Sequence, residues 1–384
     1  MLNRKIDNEI DAHFSNSKKA LFLTGARQVG KTYSIRKYAK LHGLNLIEFN
    51  FLLQPETMDI INGAGDVKEL LLRISAYSRV PLVRSRTLIF FDEVQECPDV
   101  MTWVKALVDE GSYIYALSGS LLGVELKDIR SVPVGYMSEM QVYPMDFEEF
   151  VSAVGVPENV LDAVKKSWSE KTLVDAYIHE KMMQLFQLYI IVGGMPAAVQ
   201  TYIDSNNIQN VVKEQRDIIN LYKKDIARYD QDVRKKLYIN EVFDLIPSEL
   251  NAKNKRFILK RLNENMTFGR HENDFIWLKD ADMALPTYNV EEPVSPLKLS
   301  EQRNLFKLFQ NDVGLLSCQY SSGCIQLKIL QGKVNVNYGS VFENAVAQEL
   351  HAHGWDLYYF NSKKQGEIDF ILETDDEIIP LEVK

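Results

Sequence analysis

The sequence predicts an α/β chain: a parallel sheet layered by helices over residues 1–150, a helical extension over 151–236, a winged-helix-like segment over 237–300 and a smaller α/β domain over 301–384. Three observations predict it. Continuous apolar runs alternate with helical segments in the first block, as buried parallel strands do. Helical periodicity takes over from Asp146. The last fifty residues return to a helix followed by short strands. Length agrees, since 384 residues fit two to three domains. With 46% hydrophobic and 25% charged residues, the chain is neither disordered, collagen-like nor a small disulfide scaffold. A net charge of −9 disfavours wholesale nucleic-acid binding and leaves room for a local basic face.

Taken in order, Ala20–Thr24 is a short apolar strand, followed by a glycine-rich turn and a helix to about His42. Leu44–Asn50, Thr87–Asp92 and Tyr113–Leu117 are further strands. Asp146 can cap a helix with Glu149 three residues on. Met182–Ile203 carries no charge, but its glutamines and the break Gly193-Gly194-Met195-Pro196 make it a buried helix and turn rather than a membrane span. A helix, a polar connection, a second helix over Asn254–Asn265 and a hairpin ending at Phe275–Leu278 give the winged-helix order. At the end, Val341–His353 is helical, Leu357–Phe360 and Glu367–Leu372 are strands, and Ile378–Lys384 is a final strand. The abrupt stop at Lys384 reads as a truncated last domain. Three cysteines (Cys97, Cys318, Cys324), six scattered histidines without zinc-ligand spacing and a charged N-terminus are expected of a cytoplasmic protein.

The chemistry is concentrated in Gly25-Ala26-Arg27-Gln28-Val29-Gly30-Lys31-Thr32, which fits G-x-x-x-x-G-K-[ST] between a strand and a helix. The glycines turn backbone N–H groups toward phosphates at a helix N-terminus. Lys31 is placed to reach the β- and γ-phosphates, Thr32 to put its hydroxyl on Mg²⁺, and Tyr33 completes the cofactor-binding run. The strand Leu88–Asp92 delivers Asp92 to the Mg²⁺ shell, with Glu93 beside it to polarise a water. Either acid could instead be a solvated loop carboxylate. Ser118 and Ser120, flanking Gly119, are candidates to sense the γ-phosphate or the lytic water; a tight turn uses the same residues for backbone reasons. Nucleotide, ATP or GTP, is the expected ligand.

Residues 211–270 carry 14 Lys/Arg against 9 Asp/Glu, a net +5. Lys253, Arg256 and Lys260 fall on one stripe of the second predicted helix, with Phe257, Ile258 and Leu262 beneath it. Such a stripe suits a DNA groove and equally a solvated face. Tyr222 and Tyr229 read as core. Near the end, Asp369 precedes Glu382-Val383-Lys384 across a turn. Strand alternation puts Glu382 and Lys384 on one face, and Glu343 lies on the preceding helix. The carboxylates could hold Mg²⁺ while the lysine handles a water. They could also be an ordinary solvated hairpin edge, since residues 339–384 contain 10 acids and 3 bases.

The set Gly25–Thr32, Leu88–Glu93, Ser118–Ser120, Val142–Phe150, Gly193–Pro196, Phe306–Leu316 and Gly339–Val346 resembles a large prokaryotic family. Its members are AAA-superfamily, signal-transduction-ATPase-like ATP-binding proteins with a C-terminal domain of unknown function. The resemblance implies ATP with Mg²⁺ as cofactors and a P-loop NTPase parallel sheet. It also implies a helical/winged-helix domain and a C-terminal α/β domain similar to restriction endonucleases, whose PD-(D/E)xK spacing Asp369, Glu382 and Lys384 resemble. It makes Pro196 a contact near the adenine; a helix-ending turn uses proline too. One departure stands out: Gly135-Tyr136 replaces the family's usual Gly-Arg. The expected function is an ATPase coupling nucleotide state to rearrangement of the later domains. The alternatives are a nucleotide-gated DNA-binding protein or metal-dependent nuclease, and a slow nucleotide switch for a protein partner.

Overall fold

The computed structural model describes residues 2–119, 135–228, 233–252, 254–258, 275–320 and 339–384. Two compact units divide the chain after Tyr143.

The first unit, Asn3–Tyr143, is built on β1 (Ala20–Thr24), β2 (Asn45–Asn50), β3 (Thr87–Asp92), β4 (Ile114–Ser118) and β5 (Met137–Gln141). Their order is β2-β3-β4-β1-β5, and every pairing is parallel. All six residues of β3 are buried, as a central strand with helices on both faces requires. Around it lie α1 (Lys5–Asn16), α2 (Lys31–Leu41), α3 (Met58–Asn62), α4 (Val67–Tyr77) and α5 (Val100–Glu110). Asp66 caps α4 by accepting the Glu69 N–H, a cap worth roughly 1 kcal/mol. Phe49, Phe51 and Phe91 stack in the core at ring spacings of 5.6–6.5 Å, joined by Ile47, Ile89 and Leu117.

Strand order fixes where the polar strand ends meet. Because β4 runs between β1 and β3, Ser118 stands between the turn after β1 and the acid that ends β3. The apolar runs predict four of these strands. The fifth, Met-Ser-Glu-Met-Gln, is an edge strand with no fully buried residue, so it lacks the apolar run that revealed the others.

The second unit spans Pro144–Lys384. Its helices are α6 (Phe147–Ala153), α7 (Glu158–Ser169), α8 (Ala176–Val192), α9 (Pro196–Ser205), α10 (Ile208–Arg228), α11 (Val233–Leu250), α12 (Val313–Tyr320) and α13 (Gly339–Ala352). Strands β6 (Ala284–Val290), β7 (Glu301–Gln310), β8 (Tyr358–Ser362), β9 (Gly366–Glu373) and β10 (Ile378–Leu381) form a sheet ordered β10-β9-β8-β6-β7. Only β6 and β8 run parallel among its pairings. The capping box of Asp146 and Glu149 is present at α6, and Tyr222 is wholly buried, both as expected; Tyr229 lies outside the described residues. Helices α8 and α9 meet at 118° across the Gly-Gly-Met turn, and no single described helix is long and apolar enough to cross a membrane.

Three expectations change here. Strand β6 pairs with both β7 and β8, so the second sheet begins before residue 300 and draws on the segment assigned to a winged helix. Residues 275–280 are helical, not the end of a hairpin, and 255–258 are not helical; residues 259–274 lie outside the described residues. Strand β10 stops at Leu381, leaving residues 382–384 outside it.

Candidate functional site

The turn after β1 folds as the motif requires. Gly25 has φ +125°, and a Cβ there would lie 2.2 Å from the Val142 carbonyl oxygen, so any larger residue collides with the neighbouring chain. Gln28 and Gly30 also have positive φ, and α2 starts at Lys31. Ala26, Arg27 and Val29 are buried in the loop, whereas Tyr33 is 43% exposed on the helix. The Lys31 Nζ donates to the Gly25 and Ala26 carbonyls at 2.7 and 2.8 Å. An ammonium so held can exchange neutral carbonyls for phosphate oxygens, which make stronger charge-assisted bonds.

Asp92 is the centre of the site. Thr32 Oγ1 donates to its carboxylate at 3.0–3.1 Å, Asn50 Nδ2 donates to Oδ2 at 2.8 Å, and the Ser118 hydroxyl bonds Oδ1. Burial raises the Asp92 pKa; the Ser118 bond opposes this, and the Glu93 charge adds to it. Neutral donors thus under-compensate a buried carboxylate, the condition a cation relieves. The oxygens of Asp92 and Thr32 are hard ligands of the type Mg²⁺ takes, so the residues present fit that ion.

Glu93 follows in the left-handed region at φ 59°, a conformation in which a non-glycine residue is strained. Its Oε2 accepts from Gln95 Nε2 at 2.5 Å, which aims the carboxylate. Ser120 lies outside the described residues. Tyr136 precedes β5, which pairs in parallel with β1 so that Met137 faces Ala20 and Gln141 faces Thr24. Position 136 is therefore at the opposite end of the strand from the phosphate loop, roughly 16 Å away at strand rise. A side chain at position 136 does not reach this chain's own phosphate loop from there. Tyr136 instead packs beneath Lys105, 5.4 Å from the ring centre.

Two contributors escaped the sequence reading. Asn50 ends β2 directly opposite Asp92, and its place at a strand end next to the acid-bearing strand was the available signal. Arg4 had none: its guanidinium donates to the Val29 carbonyl at 3.0 Å and the Tyr143 carbonyl at 2.8 Å, joining the phosphate loop to the end of the unit.

In the second unit, Pro196 opens α9. The turn before it is fixed by Asp312, whose Oδ2 accepts the Gly194 N–H at 2.6 Å. The expected acidic group is only partly assembled. Glu343 and Asp369 do come together, around the wholly buried Lys307: its Nζ lies 3.6 Å from Glu343, 3.8 Å from Asp369 and 2.9 Å from Glu367. Lys255 also pairs with Glu343. Glu382 and Lys384 are exposed, and only the Val383 N–H between them reaches Asp369, at 3.0 Å. Of the basic stripe, only Arg256 lies among the described residues. Arg256 turns inward, 3.5 Å from the Asn361 carbonyl, while Lys253 and Lys260 lie outside the described residues.

Residues 17–151 match the family model of an AAA domain. Two domains of unknown function follow, DUF8612 over residues 183–323 and DUF4143 over residues 338–384. Among solved structures, a Walker-type ATPase of Pyrococcus abyssi is similar at 14% identity and a TM-score of 0.49, covering 84% of this chain and 96% of that one. The Aeropyrum pernix ORC1 protein in complex with DNA is similar at 14% identity and 0.32, covering 85% and 94%. Cdc6p of Pyrobaculum aerophilum is similar at 11% identity and 0.28, covering 86% and 94%. No curated protein matches the chain. The first unit has the P-loop NTPase fold, and most of it matches the AAA-domain model.

Proposed function

We propose that this AAA-type unit makes the chain a Mg²⁺-dependent ATPase whose nucleotide state is passed to the second unit. The observation that carries this is the convergence of Thr32, Asn50 and Ser118 on buried Asp92, beside a lysine held by its own loop. Residues Gly25–Tyr33 hold the triphosphate, and Lys31 neutralises charge on its β- and γ-oxygens. Asp92 and Thr32 would hold Mg²⁺, which when bound offsets phosphate charge and orients the triphosphate. Glu93 accepts the proton of the attacking water, and Ser118 reports the state of the Asp92 shell. The route outward is supported by Arg4, which bonds both the loop at Val29 and the chain at Tyr143, one residue before the second unit begins.

Steady-state ATP hydrolysis with Mg²⁺ tests the reading. Glu93→Gln should lower turnover by about 10²–10⁴-fold, the usual reach of a general base, while ATP still binds; Lys31→Ala should lose both. Parent-rate hydrolysis in either variant would overturn the assignment. Addition of DNA tests the nucleic-acid reading, supported by the net +5 of residues 211–270 and weakened by the inward turn of Arg256. Tight ATP binding without turnover would point to a nucleotide switch for a protein partner.

A second reading, metal-dependent phosphodiester cleavage, is favoured by the meeting of Glu343 and Asp369. Lys307 and Lys255 already neutralise these acids, which makes it the lesser reading. Mg²⁺- or Mn²⁺-dependent cleavage of plasmid DNA, lost in Asp369→Ala, would establish it.

A further inference from the structure

Helix α10 is the longest described helix of the second unit, and burial divides it into two sides. Val211, Ile218, Tyr222 and Ile226 lie on the buried side, which fixes how the helix is turned. Nine of its residues are exposed. Four of these are cations, Lys213, Arg216, Lys224 and Arg228, against one acid, Asp217; the others are amides and Ala227. With Asn220 in the middle, the cations follow one another at helical steps of three or four residues, so they form a single ridge. At helical rise the ridge is roughly 22 Å long.

The ridge is not neutralised. None of its four cations forms an ion pair with a described residue; Arg216 reaches the thiol of Cys318 on α12, which burial keeps neutral. Lys223, at the flank, is paired with Asp244 of α11 at 2.6 Å, so an acid is supplied beside the ridge and not on it. An ordinary solvated helix mixes its signs. Helix α7 does so: it exposes Glu158 and Asp162 with Lys165 and Lys166, and both lysines are paired, with Glu148 and Glu170.

A straight row of cations on a fixed helix matches a row of anions. A protein partner would need aromatic or aliphatic anchors, and a lipid surface an apolar face, yet nothing exposed on α10 is more apolar than Ala227. Single strands are held by stacking on aromatic side chains, and none is exposed on α10. Duplex DNA carries one charge per about 1.7 Å of axis, and its grooves are wide enough to admit a helix, unlike the narrow major groove of A-form RNA. We propose that α10 is a docking surface for duplex DNA, with Lys213, Arg216, Lys224 and Arg228 on its phosphates. The contact is indifferent to sequence, because phosphates carry none. This deepens the nucleic-acid reading above and rests on it, placing the contact on a helix that presents its cations to solvent.

The test is fluorescence anisotropy of a labelled DNA duplex of about 30 base pairs with the full chain, without nucleotide, from 50 to 200 mM salt. Four phosphate contacts predict a slope of log affinity on log salt of about −4, a loss of about 10²-fold across that range. Replacing Lys213, Arg216, Lys224 and Arg228 together by Gln should abolish most of the binding and flatten the slope, and Lys224→Gln alone should reduce the slope by about 1. The same replacement at Lys165, Lys166, Lys171 and Lys181 removes equal charge elsewhere in the unit and should cost less than three-fold, with circular dichroism unchanged in both. No duplex binding at 50 mM salt would overturn the nucleic-acid reading itself. Binding that survives the α10 replacement, or that falls equally in both variants, would overturn the placement on α10 alone. Tighter binding of an RNA duplex or a single strand would overturn the choice of partner.

Discussion

Each unit holds a buried carboxylate, Asp92 at the end of β3 and Glu343 on α13, and they neutralise them in opposite ways. In the first, Asp92 is surrounded by a hydroxyl from Thr32, a hydroxyl from Ser118 and the amide of Asn50, all neutral, while Lys31 is held aside by loop carbonyls. In the second, Glu343, Glu367 and Asp369 enclose the ammonium of Lys307. The first arrangement surrounds the acid with neutral donors and holds its lysine on loop carbonyls, which suits a cation and a polyanion arriving together. The second is already largely compensated by two lysines, Lys307 and Lys255, and has less to offer a metal. Residue types alone do not separate these cases, since each contains acids and lysines. What differs is whether the lysine's partners are carbonyls or carboxylates.

The sharpest way to break this comparison is Lys307→Met. Removing one partner of a buried ion group leaves uncompensated charge, at a cost of about 3–5 kcal/mol. Burial already raises the Glu343 pKa, with Lys307 the largest influence opposing it, so the variant should raise it further. The sign follows: a carboxyl whose folded pKa is raised favours the folded state in its protonated form. The deficit should therefore be largest at neutral pH and shrink as pH falls through that raised pKa. Chemical denaturation at pH 5 and pH 7.5 measures it; an equal loss at both would mean packing, not charge, was removed.

Asp312 sharpens the comparison with a third solution, neutralisation by backbone. It accepts the N–H groups of Gly194 and Leu315 at 2.6 and 2.9 Å. Burial still lifts its pKa from 3.8 to about 6. With the folded value raised, its contribution is complete below pH 3.8 and is lost as pH rises through 6, by on the order of 3 kcal/mol. Asp312→Asn should flatten that window. It should be less stable than the parent at pH 4, where one N–H loses its acceptor at roughly 1–3 kcal/mol, and approach or exceed it at pH 7. A pH-independent difference would refute the burial explanation.

The turn that Asp312 holds supplies a related prediction. Gly193 has φ +74°, and a Cβ there would fall 2.3 Å from Asp312 Oδ1. With ψ at −169° the backbone is in a region essentially confined to glycine, so Gly193→Ala combines strain of about 1–3 kcal/mol with displacement of that carboxylate, for a loss of roughly 3 kcal/mol. Urea unfolding should show it in the second unit, with ATP binding by the first retained. Loss of ATP binding at unchanged stability would instead tie this turn to the nucleotide, the role the family resemblance implies for Pro196.

What the sequence made legible was local. The loop Gly25–Thr32 and the acid ending β3 are contiguous motifs whose backbone dictates their geometry, and both are where the motif puts them. Of the expected set Asp369, Glu382, Lys384 and Glu343, only Glu343 and Asp369 come together, and the lysine between them, Lys307, sits on β7, a strand with no motif of its own. Strand β5 is not legible because an edge strand need not be apolar, and only its direction reveals how far position 136 lies from the phosphate loop. Arg4 acts through a contact distant in sequence, to Tyr143, and no spacing rule reaches that far.

The smallest effect concerns Asn50, which tests whether neutral donors prepare Asp92 for a cation. Its Nδ2 donates to Asp92 Oδ2 at 2.8 Å, while its Oδ1 accepts the Leu53 N–H at 2.8 Å and so fixes the side chain. Asn50→Ala removes one of several bonds to the carboxylate, worth about 1 kcal/mol at this half-buried position. The half-saturating Mg²⁺ concentration for ATP hydrolysis should rise about five-fold, with turnover at saturating Mg²⁺ within a factor of two. Asn50→Asp should do more, because a second charge beside Asp92 raises its pKa and makes the Mg²⁺ dependence steeper at low pH. If both variants match the parent, then Thr32 and Ser118 alone orient Asp92, and the strand-end asparagine contributes only to the turn at Leu53.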